Sequence, residues 1–256
     1  MELTDKICVV TGGASGIGFE IARTFAQAGG KVAIADINVD AANEAAKALG
    51  DGHMGIDMDV TDEDAVQRGI DKIVAEHGRV DILVSNAGIQ IVKRVEDFSY
   101  ADWRKVVAIH LDGGFLTSKA VLPHMYAQGS GTILYVGSVH SQEASALKAP
   151  YVSAKHGLMG LARTIAKEGG PHGVRTNVIC PGFVRTPLVD KQIPEQAKDL
   201  GISEEEVVSK VMLGETVDKE FTTVEDVAHT ALFLATFPSN AMTGQSVVVS
   251  HGWRMD

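Results

Sequence analysis

Cysteine is scarce: Cys8 and Cys180 are the only two in 256 residues, so no disulfide framework is available. Both sit in β-branched runs that read as buried strands, which predicts inert core thiols in a reducing, cytoplasmic setting. Positive charge is also short, with 23 Lys and Arg against 33 Asp and Glu and a formal net charge of −10. A nucleic-acid partner needs a basic face and is therefore disfavoured. No apolar run approaches the ~20 residues that span a bilayer, so no membrane partner is expected. The opening segment 1–6 is acidic and lacks the basic and apolar regions of a secretory signal. There is no Pro/Gly/Ser-rich linker, composition break or solenoid repeat, and the 27 glycines follow no three-residue period. What remains is 45% hydrophobic and 22% charged, a globular composition that predicts one domain over 1–256. No metal ligands are assigned.

Short β-branched runs alternate with longer segments of helical period. Strands are expected at 6–11, 31–36, 53–57, 80–85, 131–137, 175–179 and 246–249. Helices are expected at 16–28, 39–49, 62–76, 100–126, 151–168 and 224–236. This alternation implies right-handed βαβ crossovers, hence an α/β fold with a doubly wound parallel sheet of about seven strands and helices on both faces. The segment 185–219 breaks the pattern, being polar and helical over roughly 187–213 without a clear strand. Its place after the sixth strand predicts a substrate lid above the carboxyl ends of the sheet; a solvated pair of surface helices is the alternative.

Three local patterns carry chemistry. Thr11-Gly-Gly-Ala-Ser-Gly-Ile-Gly18 stands where the first strand passes into the first helix. Glycines let the backbone approach a pyrophosphate, and a helix N-terminus supplies free N–H groups and positive dipole. A purely structural turn is the competing reading, and the spacing is neither G-x-G-x-x-G nor a P-loop. Asp36 ends the second strand 18 residues beyond Gly18. Its carboxylate can accept ribose hydroxyls and would repel a 2′-phosphate, with Ile37 and Asn38 offering no cation, so NAD is favoured over NADP. A helix cap is the alternative there. Tyr151 and Lys155 lie four apart on one helix face, where an ammonium would lower the phenol pKa and make a general acid/base. Taken alone, such a pair is most often solvent-exposed.

Read together, these motifs resemble the short-chain dehydrogenase/reductase family over essentially the whole chain. The matching pieces are Thr-Gly-x-x-x-Gly-x-Gly at 11–18, Asp59-Val60, Asn86-Ala-Gly88, Ser138, Tyr151-x-x-x-Lys155, and Pro181-Gly182 with Thr186. The resemblance implies a Rossmann-type domain and an NAD cofactor. Gly12, Ser15, Gly16, Ile17 and Gly18 would hold the phosphates, Asp36 the ribose, and Asp59 with Val60 the adenine. Asn86, Ala87 and Gly88 would line the cofactor, and Pro181, Gly182, Val184 and Thr186 would also bind it. Tyr151 would be the acid/base and Ser138 would hydrogen-bond the reacting oxygen. Lys155 would grip the nicotinamide ribose and lower the tyrosine pKa. One catalytic position departs from the family: His110 replaces the usual Asn of the proton relay. It is expected either to serve an altered relay or to pack harmlessly in its helix. The usual Asp-Gly-Gly ending becomes Ser250-His251-Gly252 followed by Trp253, expected to bear on terminal packing and subunit contacts.

Within the family the second half is similar to D-3-hydroxybutyrate dehydrogenases, on the runs 137–140, 148–151, 154–157 and 180–192. The likeness implies that Gln90, His140, Lys148 and Gln192 bind a small carboxylate substrate. Phe183 stands where that group often has Trp and would form an apolar wall. The implied reaction is reversible oxidation of (R)-3-hydroxybutyrate to acetoacetate, in a homotetramer. Another small 3-hydroxy acid or secondary alcohol is a second reading. A catalytically degraded NAD-binding scaffold is a third, which intact Ser138, Tyr151 and Lys155 oppose.

Overall fold

A computed structural model describes residues 1–255, apart from the side chain of Leu188; Asp256, where the expected domain ends, lies outside the described residues. Seven parallel strands run β1 (Ile7–Thr11), β2 (Lys31–Asp36), β3 (Met54–Asp57), β4 (Ile82–Ser85), β5 (Gly131–Val136), β6 (Val174–Pro181) and β7 (Ser246–Val249). They form one sheet in the order β3-β2-β1-β4-β5-β6-β7. The order reverses between β1 and β4, so the two following loops diverge and open a crevice at the carboxyl edge.

Strand alternation builds two cores. In β1, Ile7 and Val9 face one side while Cys8 and Val10 face the other, all buried. The first face is covered by α3 (Glu63–His77), α5 (Gly113–Gln128) and α6 (Ala149–Gly169), through residues such as Ile70, Val121 and Leu158. The second is covered by α1 (Gly16–Gln27), α2 (Val39–Leu49) and α9 (Val224–Ala235), through Ile21, Phe25 and Val227. Each large side chain so buried contributes about 1.5–3 kcal/mol. Caps set the helix starts: Asn38 accepts from Ala41 N at 3.1 Å and Asp62 from Ala65 N at 3.0 Å. Among the described residues, no helix is long and apolar enough to cross a membrane.

Two differences from the expected elements matter. The single helix expected at 100–126 is α4 (Tyr100–Val107), a wider π turn at Ala108–Asp112, and then α5. The extra residue in that turn rotates the chain and carries His110 into the interior, where it is buried. Gly113 then lets the helix approach Val60 so closely that a Cβ there would lie 2.9 Å from Val60 Cγ2. Second, β4 begins at Ile82, and the residue just before it anchors an ion cluster. Buried Asp81 accepts from Ile7 N at 3.0 Å, from Arg79 Nε at 2.9 Å and from Lys6 Nζ at 3.3 Å. On the same amino edge of the sheet, buried Arg175 donates to Leu234 O, Ala235 O and Thr132 Oγ1 at 3.0–3.3 Å, tying β6 to the end of α9.

The segment after β6 contains α7 (Pro187–Leu200), α8 (Glu204–Glu206) and a π turn at Val207–Met212. Its buried Val189, Ile193, Val207, Met212 and Leu213 form a small cluster separate from the two main cores. A parallel bridge between Val184 and Thr222 closes the excursion at its base.

Candidate active site

A cavity of about 450 Å³ occupies the carboxyl edge above the β1/β4 switch. At one end the glycine turn leads into α1. Gly12 has φ +59° and Gly16 φ +55°, conformations that glycine adopts without strain. A Cβ on Gly12 would sit 2.9 Å from Ala87 Cα, so the two loops touch backbone to backbone. Ser15 caps α1 without a side-chain hydrogen bond and the first turn has no acidic residue, leaving N–H groups and dipole for an anion. Gly12, Ser15, Gly16 and Ile17 line the cavity. Gly18 lies behind them, where a Cβ would collide with the Gly12 carbonyl; its role is close packing of helix on turn.

Asp36 reaches the same wall, accepting from Ala14 N at 3.3 Å and Asn38 N at 3.1 Å. Asp59 holds its loop by accepting from Thr61 N at 2.9 Å, and Val60 lines the cavity beside it. Asn86 is a clamp: Nδ2 donates to Thr11 O at 3.0 Å and Gly12 O at 3.1 Å, holding the loop after β4 against the glycine turn. Ala87, Gly88 and Gln90 follow along that loop, and Pro181, Gly182, Val184 and Thr186 form the facing wall.

At the centre, Ser138 starts a short 3-10 turn at Val139–Ser141 and accepts from His140 N at 3.1 Å. Its hydroxyl also hydrogen-bonds Tyr151. Lys155, one turn along α6, donates to Val136 O at 2.6 Å and lies 5.4 Å from the Tyr151 ring centroid. Burial pushes the Tyr151 phenol up to about 12, against the opposing hydrogen bond from Ser138, and pushes Lys155 down to about 8. The expected lowering of the phenol by the ammonium is therefore overridden in this state.

His110 packs against Gly88, where a Cβ would collide with the imidazole, and meets Tyr151 edge-on at 5.2 Å between centroids. Its Nε2 lies 2.8 Å from Ile89 O and 3.1 Å from Ile89 N, so one tautomer donates to the carbonyl and the other accepts from the amide. Nδ1 has no partner. Burial first, then Lys155, holds the imidazole down at about 3.

The far end is polar. Both nitrogens of buried His140 lack partners among the described residues, and burial pushes this imidazole down to about 3. Lys148 is also buried, and its Nζ has no ion pair among the described residues; it lies 4.5 Å from the Phe183 ring centroid. Desolvation lowers its ammonium to about 8. Gln192, on α7, is buried on the same wall.

The sequence pattern described as short chain dehydrogenase matches residues 6–197. The chain belongs to that family. It is 41% identical to a D-beta-hydroxybutyrate dehydrogenase of Rhizobium meliloti (strain 1021) over 97% of this chain and 98% of that one. A D-beta-hydroxybutyrate dehydrogenase of Cupriavidus necator is 35% identical, over 98% of both. The crystal structure of gox2181 superimposes with a TM-score of 0.89 at 32% identity, covering 98% of this chain and 96% of that one.

One wall of this short-chain dehydrogenase was not foreseen. Trp253 lines the cavity, stacked on Phe183 at 5.2 Å with planes 9° apart and edge-on to His140 at 5.4 Å. The signal available was weak: one of two tryptophans, three residues before Asp256. Nothing local ties a terminal residue to a site assembled from other elements.

Proposed function

We propose that this short-chain dehydrogenase oxidises (R)-3-hydroxybutyrate to acetoacetate, reversibly, with NAD as acceptor. The observation that carries the reading is Lys148, a buried ammonium without a counter-ion among the described residues, beside the His140 imidazole, whose two nitrogens lack partners among them and whose ring lies 6.4 Å from that of Tyr151. Buried cations and orphaned polar atoms are costly, and a small carboxylate satisfies both. Gln90 and Gln192 add hydrogen-bonding capacity, and Phe183 an apolar surface for the short carbon chain. The D-beta-hydroxybutyrate dehydrogenase names of two relatives support the same substrate.

The cofactor end fits a dinucleotide. Its glycine turn admits no Cβ at Gly12, the α1 N-terminus carries no acidic residue, and Asp36 offers acceptors to ribose hydroxyls. No cationic side chain accompanies Asp36 on that wall, which disfavours a 2′-phosphate. Gly12, Ser15, Gly16 and Ile17 would hold the phosphates, with Gly18 permitting the packing behind them. A nicotinamide bound on the Pro181–Thr186 wall would supply the acceptor for the hydride leaving C3. Ser138 holds the reacting oxygen and Tyr151 takes its proton. For that transfer near neutral pH, Lys155 must stay protonated while the phenol ionises, a condition the ribose hydroxyls would favour by accepting from Nζ. Neutral His110 steadies Ile89 and leaves Nδ1 for the relay. The segment 185–219 acts as a lid with its own small core, in a single-domain chain that assembles as a homotetramer.

NADH formation with a panel of hydroxy acids, their esters and plain alcohols tests the proposal. One charge-assisted hydrogen bond contributes about 1.5–3 kcal/mol, so Lys148→Ala should lower kcat/KM for the acid roughly 10- to 150-fold and affect the ester far less. A wild-type preference for the ester, or equal losses on both, would overturn the assignment. Asp36→Ala should relax the preference for NAD over NADP; equal wild-type efficiency with both would remove that part.

A further inference from the structure

The segment Ser250–Arg254 follows β7 and brings Trp253 to the wall of the cavity. It is fastened on both sides. Toward the end of the lid, His251 Nδ1 lies 2.6 Å from Asp218 Oδ2, and His251 O accepts from Val217 N at 2.9 Å. Toward the loop after β5, Arg254 Nε donates to Gln142 Oε1 at 2.6 Å and its Nη1 to Glu143 Oε1 at 3.2 Å. His251 has φ +51°, a left-handed conformation that a non-glycine residue keeps only when its surroundings hold it. Between these fastenings Trp253 lies flat on Phe183, and Phe183 carries the Lys148 ammonium on its ring.

We propose that this segment is a strap that sets the acid preference of the site, with Trp253 as a positioning residue acting through Phe183 on Lys148. The inference rests on the acid-binding reading above. An aromatic ring attracts a cation without neutralising it, whereas a carboxylate in the same place would compete with the substrate. Phe183 can do this only if its ring is kept in one orientation, and Trp253 supplies the flat surface that fixes it. Trp253 also keeps water from that side of the ring, so the ammonium stays desolvated and its attraction for a carboxylate stays strong. The strap joins three things that the sheet does not: the lid end, the loop following β5, and the substrate end of the cavity.

The ionisable groups on the surrounding elements are His140 and Glu143 from the loop after β5, Tyr151, Lys155 and His156 from α6, and Asp190 and Lys191 from α7. Lys155 titrates in the same range as Lys148, so the lysine must be read directly. The test uses the full-length protein with saturating NAD+ and butyrate as a non-reacting acid. Calorimetry gives butyrate affinity, and the Lys148 Cε resonance of lysine-labelled protein, assigned by its loss in Lys148→Met, gives the ammonium titration. Trp253→Ala should weaken butyrate roughly 5- to 30-fold with NAD affinity unchanged. The Lys148 titration should move up from about 8 toward that of a solvated lysine. Trp253→Phe should restore both, and Glu143→Gln should show a smaller version of both.

Loss of butyrate binding in Lys148→Met together with unchanged binding in Trp253→Ala would overturn the strap and leave the acid pocket standing. Unchanged binding in Lys148→Met would overturn the acid pocket and the strap with it. Weaker binding in Trp253→Ala with an unmoved Lys148 titration would also overturn the positioning role. Should Trp253→Ala lose NAD binding, Trp253→Leu and Glu143→Gln carry the test on the same two readings.

Discussion

The two edges of the sheet bury ionisable groups in opposite ways. At the amino edge, Asp81 is met by Arg79, Lys6 and a backbone N–H, and Arg175 by two carbonyls and a hydroxyl. At the carboxyl edge, among the described residues, Lys148 rests on an aromatic ring without an ion pair, His140 has no partner for either nitrogen, and His110 leaves Nδ1 unserved. Burying a charge with its partners costs little and joins elements; burying polar groups without them is a standing cost that a bound ligand can offset. The difference separates side chains that hold the fold from side chains whose polar atoms line the cavity without protein partners among the described residues, although all are buried to a similar degree.

Variants sharpen that contrast. The largest effect is expected from Tyr151→Phe, which removes a transferable proton and little packing surface. Turnover should fall about 10²–10⁴-fold while unfolding free energy changes by less than about 1 kcal/mol. A variant that keeps most of its turnover would remove Tyr151 from the chemistry.

Acid should strike the carboxyl edge next. His110 and His140 have folded pKa values depressed to about 3, against 6.5 when unfolded. The unfolded chain therefore binds protons that the fold refuses, so their stability contribution is full above pH 6.5 and is lost progressively as pH falls toward 3. Each pH unit in that window costs about 1.4 kcal/mol per histidine. Denaturant titrations across the window should show a shallower slope for His140→Phe, and an unchanged slope would mean that the imidazole is solvated.

A pair of methionine substitutions tests the comparison itself. Arg175→Met strands two carbonyls at the end of α9 and should cost about 3 kcal/mol of stability with kcat/KM nearly unchanged. Lys148→Met deletes an uncompensated charge and should leave stability equal or raise it by about 1–3 kcal/mol while acid turnover collapses. If both variants lose stability alike, the two edges are not different in kind.

Much of the carboxyl edge was legible because its signals are local. The alternation of β-branched runs and helical segments places seven strands in order, and a turn leaving β1 must meet the N-terminus of α1. Tyr151 and Lys155 share a face because they are four apart on α6. Where contacts come from distant parts of the chain, sequence was silent. The π turn that buries His110 depends on how α4 and α5 pack over the loop after β4, and no residue type in 108–112 announces it. The Asp81 cluster joins residues 6, 7, 79 and 81, brought together only by pairing β1 with β4.

Residue types and spacing by themselves determined the fold class, the glycine turn leading into α1, the acidic residue that ends β2 and the Tyr–Lys pair, since each follows from geometry within one element or one turn. Tertiary structure alone decided that Lys148 is buried without a counter-ion, that burial raises Tyr151 and lowers Lys155, and that Trp253 closes the cavity against Phe183. Desolvation and stacking are properties of what surrounds a side chain, and those surroundings are assembled from strands, loops and a terminal segment that lie far apart along the chain.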